Sequence, residues 1–488
     1  MVFVIIINNR QSYEKGKPVI VMNSSKKLTV VVPVYNAEQF LEATIESIIA
    51  QDIGFREHII LCLIDDGSTD QSGAICKTYA REYPDDIRYV RKENGGASSA
   101  RNLGLSMAET RFVTFCDADD YWSAESFSRI IDFFEQHYEE IDLVASRIRI
   151  FGDTDYDHPL NFRFTGNRII DLNVEPYAIQ TTLGNVVYKT DAVKNYFFFD
   201  EKISLLEDVL LNTKLLLEKK KYGIVSDSYY YYRKQYQTSS LSNTVQHNRH
   251  WYLGVPEDVF IPLLNDYRGI DGRADRYAQS VVAYFIRWRI PPTGIQETLT
   301  EQERTEYTAQ IRQLLQELDD DVIASVHGIS VIHRNFLFHL KYDQDIFTAA
   351  DLENGVFRFH GHNIFNARGR GLARIVDVGS SLRGIVITGT TNIGIAGDHC
   401  ALHAETVNGN ELKVVVVDDP AYDVYAFTGE CIRRGKSFKL VLPHKCKGRF
   451  KFYTTIDAQK EKYYCVPTFD AGITGSFDSK SKETVIKP

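Results

Sequence analysis

The sequence lacks three features that would assign it to a specialised class of proteins. Its 488 residues contain no apolar run of the roughly 20 residues that a membrane-spanning helix needs. With 13 prolines and no low-complexity segment, it does not have the composition of a disordered or collagenous chain. Its formal charge of -9 also excludes the basic surface by which proteins bind nucleic acid without sequence preference.

Cysteine is scarce as well. The seven cysteines are odd in number, scattered, and form no C-x-x-C pair. This pattern is typical of reduced thiols rather than of a disulfide framework or a zinc site. We therefore expect a cytoplasmic protein, associated at most peripherally with the inner face of the cell membrane.

The chain is long enough for several domains. The sequence pattern predicts an N-terminal extension (1–26), an α/β domain (27–245), a mainly helical connector (246–354) and an immunoglobulin-like β-sandwich (355–488). In the connector, Thr300 and Glu303 predict a capping box at the start of a long helix. From 355 onward, short alternating strands are separated by Gly, Asn and Asp turns.

In the α/β domain, strand-like runs alternate with helical runs, which predicts a largely parallel sheet. Its strands are "LTVVVPVY", "HIILCLID", "IRYVR" and "RFVTFC", and Asn36 is the predicted N-cap of the helix after the first strand. The second and fourth strands run directly into "DDGSTD" and "DADD". These acidic clusters should lie at the carboxyl edge of the sheet, where open α/β sheets bind ligands.

The "DADD" cluster suits a nucleotide diphosphate. Carboxylates cannot neutralise phosphates directly, but they can hold a hard divalent cation that does so. Taken alone, the cluster is more typical of a solvated acidic turn. Its interpretation therefore depends on the other motifs of the domain.

Five motifs occur in a fixed order: "PVYN", "DDGSTD", "ENGGASSARNLG", "DADD" and "LLEDVLL". In this order and at these separations they resemble family 2 glycosyltransferases of the GT-A fold, which are inverting enzymes that use a nucleotide-activated sugar. The resemblance covers roughly residues 27–245. It implies a Rossmann-like nucleotide-diphospho-sugar transferase domain.

The resemblance implies a role for each motif residue. The nucleotide-sugar would be bound by Pro33, Val34, Tyr35, Asp66, Asn94, Arg101, Asp117, Asp119, Arg233 and Ser239. Asp66 would accept a hydrogen bond from the base, although a turn-forming role is equally compatible with its position. Asp119 would ligate Mn²⁺ or Mg²⁺ directly, with Asp117 beside the ribose or the metal. Arg101 would offset phosphate charge or hold the aspartates; a purely structural pair with Asp117 is the alternative.

The catalytic pair would be Asp208 as general base, with Glu207 orienting it or contacting the sugar. The alternative is that both residues form an acidic first helical turn. At an ordinary pKa of about 3.9, Asp208 would be ionised at neutral pH. Asp120 would cap the next helix or touch the sugar, and His247 or His250 would be a candidate third metal ligand.

The order of the modules is similar to that of bacterial wall-polymer transferases such as poly(ribitol-phosphate) N-acetylglucosaminyltransferases. This similarity implies UDP-GlcNAc as donor, a teichoic acid or capsular polymer as acceptor, and a homo-oligomer formed through the β domain. The alternatives are another UDP-hexose with a glycoprotein or oligosaccharide acceptor, or a non-catalytic nucleotide or glycan binder. A sugar-nucleotide pyrophosphorylase would need a glycine-rich loop where this chain has "PVYNAEQF".

Overall fold

The computed structural model describes residues 26–196, 199–235, 244–291, 295–457, 461–471 and 473–486. They form two compact units, divided between residues 236 and 237. Most of the predicted N-terminal extension and Ser239 lie outside the described residues.

The first unit is a mixed sheet covered by helices. Its strands are β1 (Leu28–Val34), β2 (Ile59–Asp65), β3 (Ile87–Arg91), β4 (Phe112–Phe115), β5 (Tyr121–Trp122), β6 (Leu143–Gly152), β7 (Tyr156–Asp157), β8 (Arg168–Asp171), β9 (Val186–Lys189) and β10 (Lys221–Lys234). Its helices are α1 (Leu41–Ile49), α2 (Phe55–His58), α3 (Ser72–Glu82), α4 (Gly96–Met107), α5 (Ser126–Gln136), α6 (Thr190–Tyr196) and α7 (Glu207–Lys219), with a 3-10 turn at Pro159–Arg163.

The strand order is β3-β2-β1-β4-β9-β6-β10-β5, with β7 beside β6 and β8 beside β10. The first four strands in this order are parallel to one another, which confirms the predicted α/β sheet. Val34 and Asp65 lie opposite each other at the ends of β1 and β2, so the loops that follow meet at one edge. β1 and β2 are buried almost throughout, because helices cover both faces of such a sheet.

The other half of the sheet brings β10 to the same edge. β9 runs antiparallel between β4 and β6, whereas β10 runs parallel to β6 and antiparallel to the short β5. Because β5 follows directly after "DADD", this pairing places the end of β10 beside the acidic loop. The sequence did not indicate this long-range pairing.

The second unit begins with helices and ends with strands. Its helices are Arg249–Val255, Ile261–Asp266, Arg276–Arg287, Ile295–Thr298, Glu301–Gln316, Asp320–Ser325 and Val331–Tyr342, with a 3-10 turn at Val245–His247 and a π-helical segment at Pro256–Phe260. The predicted capping box is present at Thr300 and Glu303. None of the helices in the described ranges is both long and apolar enough to cross a membrane.

The strands of this unit form an all-β region, as predicted. They are β11 (Asp351–Glu353), β12 (Val356–Phe359), β13 (His362–Asn366), β14 (Arg370–Ser381), β15 (Gly384–Thr391), β16 (Cys400–Glu405), β17 (Glu411–Leu412), β18 (Val414–Asp418), β19 (Val424–Tyr425), β20 (Cys431–Arg433), β21 (Lys436–Leu442), β22 (Arg449–Ile456), β23 (Tyr463–Tyr464), β24 (Val466–Phe469), β25 (Gly475–Phe477) and β26 (Thr484–Ile486). Five-stranded and six-stranded sheets face each other, since Phe438 of β21 and Phe452 of β22 pack with their ring centroids 5.3 Å apart. A separate three-stranded sheet begins at Asp351, before the predicted boundary at 355.

Candidate active site

The loops after β1 and β2 are joined by hydrogen bonds. Contrary to our prediction, Asn36 does not cap a helix, because it has a left-handed backbone (φ 48°) and α1 begins only at Leu41. Its side-chain oxygen instead accepts from the backbone N–H of Thr69 (2.8 Å), while the N–H of Ala37 donates to Ser72 Oγ (2.8 Å). The first loop is therefore held by the second.

Asp66, the predicted base-binding residue, is buried beneath the loop before α4. Its carboxylate accepts from the backbone N–H groups of Gly95 (2.9 Å) and Gly96 (2.8 Å) and from Lys92 Nζ (2.5 Å). A carboxylate offers about four acceptor positions, so three internal donors leave about one for a base. Contact between Asp66 and the base stays a prediction.

The other predicted base-site residues differ in exposure. Tyr35 is 53% exposed and Asn94 is also exposed, whereas Val34 is fully buried in the core. The side chain of Val34 therefore cannot line an open pocket. Only its backbone reaches the edge of the sheet, where its carbonyl accepts from the N–H of Asp66 (2.8 Å).

The acidic loop presents two carboxylates that suit a cation. The side chain of Asp117 is 43% exposed, and within the described residues no residue other than Asp119 itself donates a hydrogen bond to the carboxylate of Asp119. Burial and the charge of Asp117 raise the pKa of Asp119 to about 6. Because the two negative charges disfavour each other, a divalent cation between them would stabilise both.

The donor set fits a hard metal ion that is held partly by substrate. In the described part of the chain, no three His, Cys, Asp or Glu side chains cluster to form an all-protein site. Mg²⁺ commonly binds one or two carboxylates and completes its shell with phosphate oxygens and water. Asp117 and Asp119 match that arrangement.

The structure contradicts both roles that were predicted for Asp120. Its buried carboxylate accepts from Tyr230 Oη (2.7 Å) and from the backbone N–H of Arg233 (2.7 Å), so it neither caps α5 nor reaches a sugar. Burial, together with Asp119 and Asp117, raises the pKa of Asp120 well above its usual value. Asp120 therefore fixes the end of β10 to the acidic loop, and the charge available to a cation resides in the other two aspartates.

Arg233 lies against the acidic loop. Its Nε donates to the backbone carbonyl of Asp119 (2.8 Å), and its guanidinium lies over the rings of Phe40 (4.4 Å) and Phe151 (4.5 Å). Among the described residues, no carboxylate side chain pairs with it. The guanidinium is thus a fixed cation beside the proposed metal position.

Arg101 connects the acidic loop to the predicted catalytic pair. One terminal nitrogen donates to Asp117 Oδ1 (3.0 Å) and the other to Glu207 Oε1 (2.8 Å). Burial opposes the charge of Arg101, but the two carboxylates more than offset this and raise its pKa. These contacts place residues from α4, the acidic loop and α7 within reach of one guanidinium.

Asp208 follows Glu207 in the first turn of α7, which begins after Leu206 in a left-handed backbone (φ 64°). Burial and the charge of Glu207 raise the pKa of Asp208 to about 7, and Arg101 only partly offsets them. The expected ordinary pKa near 3.9 was therefore wrong, because sequence alone did not show the burial. A carboxylate with a pKa near neutrality suits a general base.

The two candidate histidines lie in the second unit. His247 Nδ1 is 3.9 Å from a carboxylate oxygen of Glu297, and His250 Nε2 is 3.3 Å from one of Asp258. A histidine as third metal ligand stays a prediction.

Comparisons with known proteins assign the chain to a family. The model of glycosyl transferase family 2 matches residues 29–197. The chain is also 32% identical over 318 residues to the minor teichoic acid biosynthesis protein GgaA of Bacillus subtilis (strain 168), a match that covers 64% of this chain and 71% of GgaA. The chain belongs to glycosyl transferase family 2.

Two other similar proteins differ from this chain in length and identity. GgaB of Bacillus subtilis (strain 168), also named a minor teichoic acid biosynthesis protein, is 37% identical over 318 residues, which are 65% of this chain but only 35% of GgaB. The crystal structure of Staphylococcus aureus TarS is 16% identical, with a TM-score of 0.57 over 94% of this chain and 84% of TarS. At this identity, the likeness to TarS shows the fold.

Two site residues of this family 2 protein were missed by sequence reasoning. Tyr230 donates to Asp120 and Lys92 pairs with Asp66. Lys92 could have been predicted from the sequence, since a lysine next to a predicted ligand-binding loop is a candidate charge partner. Tyr230 could not, because four consecutive tyrosines at 229–232 do not indicate which ring turns towards the aspartates.

Proposed function

We propose that this protein transfers a sugar, in the first instance GlcNAc from UDP-GlcNAc, to a hydroxyl of a bacterial wall polymer such as a teichoic acid, with inversion at the anomeric carbon. The observation that carries the proposal is Arg101, which holds Asp117 of the acidic loop and Glu207 of the catalytic pair 3.0 and 2.8 Å from its two terminal nitrogens. Arg101 thus joins a proposed metal ligand, Asp117, to the helical turn that carries the proposed base, Asp208.

The substrate assignment is supported by the relatives. GgaA and GgaB are named for minor teichoic acid biosynthesis, and TarS is a poly(ribitol-phosphate) β-N-acetylglucosaminyltransferase, 28% identical over 202 residues. A TarS fragment has been solved with UDP-GlcNAc. GlcNAc is accordingly the first donor to test, and other UDP-hexoses follow it.

The reaction is a single displacement. The acceptor oxygen bonds to the anomeric carbon, the bond from that carbon to the UDP oxygen breaks, and the acceptor proton passes to the carboxylate of Asp208. Mn²⁺ or Mg²⁺ held by Asp119 and Asp117 would neutralise charge on the departing diphosphate. Glu207 accepts a hydrogen bond from Arg101 and precedes the proposed base in the first turn of α7, while Arg233 supplies a further cation at the acidic loop.

The experiment is a donor panel. The purified full chain is incubated with UDP-, GDP- and CDP-sugars and Mn²⁺, and released nucleotide is measured with and without a ribitol phosphate oligomer. We expect turnover of a UDP-sugar that the oligomer stimulates and that falls about 10²- to 10⁴-fold in Asp208→Asn. Turnover of no donor, or undiminished turnover in that variant, would refute the proposal and favour a nucleotide or glycan binder.

The β domain has a separate proposed role in self-association or polymer binding. Removing residues 355–488 should change the oligomeric state or the polymer affinity more than it changes donor hydrolysis. Light scattering measures the first property and sedimentation the second. Loss of nucleotide binding in this truncation would count against the proposed division into domains.

A further inference from the structure

The loop before β9, residues 178–185, lies beside the acidic loop. β9 runs antiparallel to β4, and Thr114 Oγ1 of β4 donates to the carbonyl of Val186 at the start of β9 (2.7 Å). The residues before β9 and the "DADD" residues after β4 therefore leave the sheet at the same edge. Gly184 of this loop packs so closely against the ring of Tyr230 that an added Cβ would overlap it. The 178–185 loop is thus a neighbour of the acidic loop at the candidate active site.

Buried hydrogen bonds fix this loop to the sheet. The side chains of Gln180 and Asn185 are fully buried, and Gln180 Nε2 donates to Asn185 Oδ1 (2.9 Å). Asn185 Nδ2 donates in turn to the carbonyl of Ser146 in β6 (2.6 Å). Thr182 Oγ1 also donates to Asn185 Oδ1 (2.6 Å). The loop backbone consequently has a fixed position against which another element can be aligned.

One residue of α7, Asn212, joins that helix to this loop. Its side chain is fully buried, with Nδ2 donating to the carbonyl of Thr182 (3.0 Å) and Oδ1 accepting from Tyr188 Oη of β9 (2.7 Å). Neither partner belongs to α7. Asn212 lies four residues after Asp208, and residues four apart lie on one face of a helix. The proposed base and this pair of hydrogen bonds therefore occupy neighbouring turns of the same helical face.

These two hydrogen bonds restrict α7 in a way that its apolar contacts do not. Buried leucines hold the helix against the core, but hydrophobic packing is non-directional and leaves rotation about the helix axis less restricted. Hydrogen bonds to fixed partners do restrict it, because their lengths and angles tolerate little change. The bond from Arg101 to Glu207 (2.8 Å) restricts the first turn of the helix, and Asn212 restricts the next turn.

The proposed reaction depends on where Asp208 lies. In a displacement with inversion, the base has to lie across the anomeric carbon from the departing diphosphate, so its position relative to the acidic loop is critical. A shift of about 1 Å in such a group can lower the rate about 10²-fold. We propose that Asn212 is a positioning residue that fixes the place of Asp208 by joining α7 to the 178–185 loop. This inference rests on the proposed function.

The experiment compares Asn212→Leu with a matched variant of the next residue. Asn212→Leu keeps a side chain of similar size and removes both bonds to other elements. Thr213→Val removes a buried hydrogen bond that stays inside the same helix, from Thr213 Oγ1 to the carbonyl of Val209 (2.7 Å). For each full-length variant, nucleotide release from UDP-GlcNAc with Mn²⁺ and the ribitol phosphate oligomer gives kcat and KM. Calorimetric titration with UDP counts the folded sites.

We expect Asn212→Leu to lower kcat per UDP-binding site about 10- to 100-fold, while the KM for the donor changes by less than about twofold. Thr213→Val should keep kcat per site within about twofold of wild type. Tyr188→Phe leaves Asn212 its bond to Thr182 and should lower kcat per site about threefold. This milder variant decides the question if Asn212→Leu binds no UDP, which would mean that it does not fold.

The outcomes separate this inference from the proposed function. With an active wild type, an unchanged kcat per site in Asn212→Leu, or in Tyr188→Phe where the leucine variant does not fold, overturns the inference alone. Equal losses in Asn212→Leu and Thr213→Val also overturn it, because any weakening of α7 would then have the same effect. A change confined to KM would assign Asn212 to donor binding instead. If wild type turns over no donor, the proposed function fails, and this inference fails with it.

Discussion

The pKa of Asp208 leads to a prediction about the pH dependence of the reaction. The base acts only when it is ionised, so the rate should fall as pH drops through its pKa of about 7. With that value, the ionised fraction of Asp208 is about 0.09 at pH 6 and about 0.91 at pH 8, which gives a rise in kcat/KM of about tenfold over this interval. An ordinary aspartate with a pKa of about 3.9 would give no change there.

The assay measures kcat/KM for UDP-GlcNAc from pH 5.5 to 8.5 by nucleotide release. Mg²⁺ is kept saturating, because protonation of Asp119, with its raised pKa of about 6, would otherwise weaken metal binding in the same range. A variant of Arg101 tests the cause of the raised pKa. Arg101→Met removes a guanidinium that lowers the pKa of Asp208, so the fall in rate on the acid side should move to higher pH, whereas Arg88→Met, at a partly exposed pair with Glu109, should leave it in place.

Two results would refute this reasoning. A flat profile from pH 5.5 to 8.5 would mean that Asp208 is not the titrating base or that its pKa is ordinary. If the pH profile of Arg101→Met has the same midpoint as that of wild type, the guanidinium does not lower the pKa of Asp208.

Three further predictions concern single side chains. Asp119→Asn should lower metal-dependent turnover by about 100-fold or more and raise the Mn²⁺ concentration needed for half-maximal rate, as followed by nucleotide release; an unchanged Mn²⁺ titration would count against its role as ligand. Tyr230→Phe leaves the buried carboxylate of Asp120 without one of its two hydrogen-bond donors. It should destabilise the first unit by about 1–3 kcal/mol, measured as a lower Tm. Tyr229→Phe is the control and should not lower the Tm, because the Tyr229 hydroxyl has no hydrogen-bond partner in the described chain. Thr300→Ala removes the N-cap of the helix Glu301–Gln316 in the second unit and should lower the free energy of unfolding by about 1 kcal/mol, measured by thermal unfolding. An unchanged Tm would mean that the capping box does not stabilise this helix.

The sequence was most informative where local pattern determines structure. The apolar runs of β1 and β2 and the turn residues after them predicted a parallel sheet with acidic loops at its carboxyl edge, and the structure has both. The capping box at Thr300 was equally predictable, because it depends on two residues three positions apart. Both features are set by neighbours in the chain.

The features that could not be predicted from the sequence depend on residues that are far apart in the chain but meet in the fold. Arg101 and Glu207 are separated by 106 positions, and Asp120 and Tyr230 by 110, so no local pattern indicates that they meet. The raised pKa of Asp208 likewise follows from burial by the folded domain. Asn36 failed as a predicted cap for the same reason, since its side chain bonds to the loop after β2.

The hydrogen bonds between the loops after β1 and β2 have a consequence for protein engineering. Because Asn36 and Ala37 bond to Thr69 and Ser72, neither loop has a conformation of its own that could be transplanted alone. An attempt to change nucleotide preference by grafting one loop from a relative would leave its partners unmatched. The two loops have to be exchanged as a pair, and substitutions at Asn36 and Ser72 should be non-additive.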